Sequence, residues 1–141
     1  PYQSQIEMTA AAVRQALARP DLDIAICYQS RVGPLEWLGP ATDAEIRRAG
    51  AEKRGLIVAP IAFVSEHSET LVELDIEYGH LATQSGVPHY VRVPTVSTHP
   101  SYIAGLAHLV REAQASRTAV TPDGGKRRCA SGFGFCACES R

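Results

Sequence analysis

The chain has 141 residues, 45% of them apolar and 21% charged, with a net charge of −1, the size and balance of one small globular domain. The near-zero charge excludes the basic footprint that nucleic-acid binding requires, and no apolar run approaches the ~20 residues that span a bilayer. Four cysteines, three of them crowded at the C-terminus, do not make the spread framework of a small secreted scaffold, so the chain reads as cytoplasmic.

A start at Pro1-Tyr2 without Met suggests a fragment or a processed chain. Residues 1–19 are polar and charged, so nothing in them reads as a signal peptide. Ser4-Gln5-Ile6-Glu7 has capping-box spacing. Behind it Ile6, Ala10, Val13 and Leu17 recur at helical intervals until Pro20 closes the segment. Ile24 to Tyr28 is a short apolar run, predicting a strand over about residues 23–29, buried on both faces. A Gly/Pro-rich loop runs from Arg31 to Pro40 and holds Trp37, the single Trp of the chain. Thr42-Asp43-Ala44-Glu45 predicts a second capped helix to about Lys53, ended by Gly55. Leu56 to Phe63 then predicts a second buried strand.

Residues 69–85 read as a third helix stopped by Gly86, and Tyr90-Val91-Arg92-Val93 as a third strand over about residues 89–93. Pro100 suits the first turn of a last helix, with Ile103, Leu106, Ala107 and Val110 on one face. Short apolar strands alternating with helices predict right-handed crossovers and an α/β fold of three layers, a parallel sheet flanked by helices. The first helix has no strand before it, so the sheet lacks its first strand in this pattern. Residues 1–115 make the α/β domain. Residues 116–141, rich in Ser, Gly and Arg, make a C-terminal extension outside it.

In open parallel sheets, ligands bind beyond the carboxyl ends of the strands. Two loops leave such ends here: Gln29-Ser30-Arg31-Val32-Gly33-Pro34, leading to Trp37, and Ser65-Glu66-His67-Ser68-Glu69. At 100° per residue, Glu69, Glu73 and Glu77 fall at about 0°, 40° and 80°, with His80 at about 20°. Leu71, Leu74, Tyr78, Leu81 and Ala82 fall on the other side. Like charges at this spacing repel by a few tenths of a kcal/mol, which is tolerable in a row that cations visit. A solvated face and a hydrogen-bonded loop histidine account for the spacing equally well.

Residues 28–40, Tyr-Gln-Ser-Arg-Val-Gly-Pro-Leu-Glu-Trp-Leu-Gly-Pro, closely resemble a motif of the ferrochelatases. So do residues 60–78, Pro-Ile-Ala-Phe-Val-Ser-Glu-His-Ser-Glu-Thr-Leu-Val-Glu-Leu-Asp-Ile-Glu-Tyr. The second capping box and the last helix are in register as well, so the resemblance covers about residues 1–115 and points to the C-terminal half of the family's chain. It implies a chelatase-like (Rossmann-like) fold of two similar domains with a porphyrin cleft between them. It also implies the lyase reaction that inserts ferrous iron into protoporphyrin IX, giving protohaem and two protons, the last step of haem biosynthesis.

By position, His67 and Glu69 resemble a conserved pair assigned to metal handling or proton removal. Glu73 and Glu77 resemble an acidic ladder leading from it. Trp37 matches a cleft residue beside the macrocycle, and Gln29 and Ser30 lie in the loop below. Carboxylates and neutral imidazole suit ferrous iron, and histidine is the base poised nearest neutral pH. In the family another histidine, in a His-Ser-Leu-Pro motif, precedes the first helix. Without it and the N-terminal half, the 141-residue chain is expected to be incompetent alone. Members can also associate peripherally with membranes, here the inner membrane.

Cys129, Cys136 and Cys138 put three thiols within ten residues. Family members with a C-terminal cysteine cluster, some bacterial ones with this spacing among them, imply a [2Fe–2S] cluster in the full-length protein, whose fourth ligand lies elsewhere. Cys27, inside a predicted strand, does not suit that place. A tail of reducible thiols or an adventitious zinc site is the alternative. Two further readings of the chain stand beside the first: a cobalt or nickel tetrapyrrole chelatase, whose members lack the Trp37 loop, and a non-catalytic module that delivers metal to a partner.

Overall fold

Apolar periodicity and backbone breakers place most element boundaries in the computed structural model, which describes residues 2–29, 37–117 and 132–133. Helix α1 spans Tyr2–Leu17. Ser4 therefore lies inside the helix rather than at its cap, and Glu7 accepts a bond from Gln3 at 3.1 Å instead. The helix ends at Ala18, whose φ of 49° is the left-handed exit that precedes Pro20.

The predicted strand over residues 23–29 is not built. Among the described residues only Tyr28 pairs, in a single parallel bridge with Ala41, and the Ile24 carbonyl is taken by the Arg14 guanidinium of α1 at 3.1 Å. That bridge also displaces the second capping box. Tyr28 O accepts the Thr42 N–H at 3.1 Å, so Thr42 is drawn inside helix α2 (Thr42–Ala51), and Ala41 caps without a side-chain bond.

Strands β1 (Leu56–Val58) and β2 (Tyr90–Arg92) pair in parallel, with Ile57 opposite Val91. The expected strand over residues 56–63 stops early because Pro60 has no N–H to donate. Ile61 and Phe63 then turn back onto Ala59 and Pro60. Among the described residues the fold is thus α/β with a two-stranded parallel sheet.

A helical segment from Glu69 to Glu77 has π winding and runs straight into helix α3 (Tyr78–Gln84). Gly86, with φ of 80°, closes α3. The Val87 and Gly86 N–H groups bond back to Ala82 O and Thr83 O at 2.9 and 3.1 Å, the pattern of a Schellman cap. Helix α4 spans Pro100–Ala115, with Pro100 in its first turn and His99 Nδ1 accepting the Ser101 N–H at 3.3 Å.

Ile46 and Ala49 of α2 are buried against Ala82 and Val87, with Leu56, Tyr78, Leu81 and Tyr90 packed around them. The α2–α3 approach is close enough that a Cβ on Gly50 would collide with the Ser85 carbonyl. On the opposite sheet face, among the described residues, Ile57 is 72% and Val91 55% exposed. No described residue of α1 or α4 is buried. No helix among the described residues is long and apolar enough to cross a membrane.

Candidate active site

His67 closes the loop that follows β1 and starts the π segment. Its carbonyl accepts the Thr70 and Leu71 N–H groups at 3.1 and 2.8 Å. Its own N–H donates to Thr70 Oγ1 at 3.0 Å, and that hydroxyl in turn lies 3.0 Å from His67 O. The ring takes part as well, since Nδ1 accepts the Glu69 N–H at 3.1 Å. An imidazole nitrogen here does what an Asp or Ser oxygen usually does at a helix start. The edge of the pair is held by Phe63, whose ring meets that of His67 at 4.5 Å and 77°.

The π winding changes the arithmetic of the acidic row. With i→i+5 bonding each residue turns by about 80°, so Glu69, Glu73 and Glu77 still share about 80° of arc. His80 lies in the α-wound α3, where three residues at about 100° each set it about 60° round from Glu77, further from Glu69 than the rest of the row. His67, Glu69 and Glu73 are half-buried, whereas Glu77 and His80 are exposed.

The end of the first apolar run meets the acidic segment. Gln29, at the end of the first apolar run, donates from Nε2 to Glu69 O and to Glu73 Oε2, each at 2.8 Å. Tyr78 Oη donates to Glu73 Oε1 at 3.3 Å. Burial first, then the Glu73 carboxylate, pushes the Tyr78 phenol up, so it remains a donor. Trp37 is 46% exposed rather than tucked against the domain. Ser30, Cys129, Cys136 and Cys138 lie outside the described residues. Cys27 is half-buried, its thiol pushed up by burial and eased by a bond with Thr42. Among the described residues, no three His, Cys, Asp or Glu side chains converge as a ready metal cage.

Sequence reading missed the support behind this face. Arg92 of β2 has a side chain only 9% exposed and grips Asp75 through Nε and Nη2 at 2.6 and 2.8 Å. Its Nη1 reaches Glu66 at 2.9 Å, and Glu66 also accepts the Thr95 N–H at 2.9 Å. The Thr70 hydroxyl, the Thr95 N–H and Arg92 together hold the Glu66 carboxyl down to about 2. Tyr90 Oη donates to Leu74 O at 2.8 Å. The available signal was a lone Arg inside an apolar strand, since an interior charge needs partners.

The sequence profile described as Ferrochelatase matches residues 1–114. Over 139 residues the chain is 50% identical to the ferrochelatase of Caulobacter vibrioides (strain NA1000 / CB15N), covering 99% of this chain and 40% of that one. It is 53% identical over 140 residues to that of Phenylobacterium zucineum, again 99% against 40%. With the ferrochelatase of Cyanothece sp. (strain PCC 7425 / ATCC 29141) it shares 49% over 114 residues, 80% against 29%. The chain therefore spans about two fifths of the length of the first two of these relatives, and by its profile match it belongs to the ferrochelatase family.

Proposed function

We propose that this chain works as the C-terminal half of a ferrochelatase, inserting ferrous iron into protoporphyrin IX to give protohaem and two protons. The observation that carries the reading is the bond between His67 and Glu69 at the end of the loop that follows β1, at the head of a segment that lines up Glu73 and Glu77. Membership of the family supports it. The reading adds a three-layer, Rossmann-like sheet completed by a strand and a domain from the rest of the protein, with the cleft between the halves. Alone, the 141 residues do not turn over.

The residues divide the chemistry. Two pyrrole N–H protons must leave while a hydrated cation sheds water, so the site needs a proton acceptor and alternative oxygen ligands. Glu69 supplies the acceptor, and Glu73 and Glu77 supply oxygens along the path of the incoming iron. His67 has Nδ1 engaged by a donor, so its neutral ring carries the proton on Nε2 and presents a donor to the cleft. Ligating iron through Nε2 would move that proton to Nδ1, facing the Glu69 N–H donor to donor. Trp37 and Ser30 flank the macrocycle, where a rigid aromatic wall can hold it out of plane.

The end of the family match at residue 114 supports a boundary near residue 115, with residues 116–141 as a separate extension. On that extension Cys129, Cys136 and Cys138 would hold a [2Fe–2S] cluster, with the fourth ligand outside this chain. The protein would work in the cytoplasm, in peripheral contact with the inner membrane. The test is anaerobic incubation of the full-length protein with ferrous iron and protoporphyrin IX. Formation of protohaem is expected. Iron binding with no affinity for porphyrin would instead identify a metal-delivery module.

A further inference from the structure

Gln29 makes two hydrogen bonds from one nitrogen, and both partners identify that atom. Glu69 O and Glu73 Oε2 are acceptors only, each 2.8 Å away, so the NH2 side of the amide faces them and both of its protons are committed. Tyr78 Oη reaches the other Glu73 oxygen at 3.3 Å. The carboxylate is thus gripped on both oxygens by neutral donors. The same amide also ties the first carbonyl of the π segment to the end of the apolar run over residues 24–28, which is 40 residues distant in sequence.

We infer that Gln29 is a positioning residue, which through Nε2 sets the orientation of the Glu73 carboxylate and, with Tyr78, keeps it aimed along the acidic row. A carboxylate on a free side chain samples several rotamers, and ordering it for an incoming cation costs entropy at each encounter. Donors already in place remove that cost. The purpose of this arrangement rests on the ferrochelatase reading; the contact itself does not.

The test uses the full-length protein. Gln29→Glu keeps the shape but replaces two donors with a like charge facing Glu73. It is expected to raise the KM for ferrous iron about tenfold, the scale of one hydrogen bond to a charged group, and to leave the KM for porphyrin unchanged. Tyr78→Phe should move the iron KM in the same direction by about threefold, in keeping with its longer bond, and carries the test if Gln29→Glu does not fold. In a Glu73→Ala background Gln29→Glu should add nothing to the iron KM. Effects that multiply there, or a rise in the porphyrin KM in place of the iron KM, would overturn the inference. The Gln29 side-chain amide resonance, read by NMR in Glu73→Ala, checks the contact without activity: a shift supports it and no shift defeats it. An inactive wild-type protein would sink the functional reading and leave that resonance to decide the contact.

Discussion

The backbone N–H of Glu69 donates to Nδ1 of His67 at 3.1 Å. One imidazole nitrogen therefore starts the π segment, and the other is left as the donor of the neutral ring. In the neutral full-length protein the ring proton is expected on Nε2, observable in the ring-nitrogen NMR shifts of His67. A proton on Nδ1 would contradict the bond and restore His67 as an iron ligand through Nε2. Replacing Glu69 with Pro, which has no N–H, should release the ring from that tautomer.

Arg92 anchors the back of the site. Arg92→Leu leaves Asp75 and Glu66 without their shared cation and should destabilise the protein by about 1–3 kcal/mol, since both carboxylates keep partial access to water. Arg92→Lys should recover only part of this, because an ammonium cannot make the two-pronged contact with Asp75. Chemical denaturation of the two variants checks the order. Full recovery in Arg92→Lys would mean that the paired geometry contributes nothing.

Acid sensitivity follows from Glu66. Its carboxyl is lowered from the ordinary 4.5 to about 2 in the folded protein. A depressed carboxyl stabilises the fold above its unfolded value, and that contribution disappears as pH falls through the folded one. Unfolding midpoints should thus drop between about pH 4.5 and pH 2. Asp75, lowered mainly by its bond to Arg92, acts in the same direction. In Glu66→Gln the drop over that range should be shallower; an unchanged profile would show that Glu66 is not the group responsible.

Packing at the α2–α3 contact gives a prediction independent of chemistry. Gly50→Ala forces a methyl group into the Ser85 backbone, and overpacking of this kind costs about 1–3 kcal/mol. Ile46→Ala empties a site only 1% exposed and should cost about 2–5 kcal/mol. Thermal melts of both variants measure this, and a neutral Gly50→Ala would mean that the two helices can move apart freely.

Much of this molecule is legible in its sequence because short-range signals carry it. Pro20, Pro100 and Gly86 mark helix ends through backbone restrictions that need no neighbours. The convergence of Gln29 with Glu69 and Glu73 was foreseeable only as two loops leaving strand ends. What failed depends on partners. The run over residues 23–29 has strand composition, but a strand forms only where another answers its backbone, and here Arg14 and Ala41 do so piecemeal. Thr42 has the residue type of a cap, yet its N–H is taken by Tyr28. The π winding left no mark in the spacing of Glu69, Glu73 and Glu77, since four-residue steps keep a common face at either pitch.

The central claim is that Glu69 takes up the pyrrole protons while the residues beyond it serve the metal. Steady-state iron insertion by the full-length Glu69→Gln protein, set against porphyrin binding by fluorescence quenching, tests it most directly. The carboxamide keeps the shape and loses the basicity, so kcat should fall by about 100-fold or more while the porphyrin Kd stays within about twofold. Glu77→Gln, eight residues further along and exposed, should change the iron dependence and leave kcat largely intact. A Glu69→Gln protein that inserts iron at the wild-type rate, or a Glu77→Gln protein that is equally damaged, would contradict the account and leave the acidic row as a solvated face.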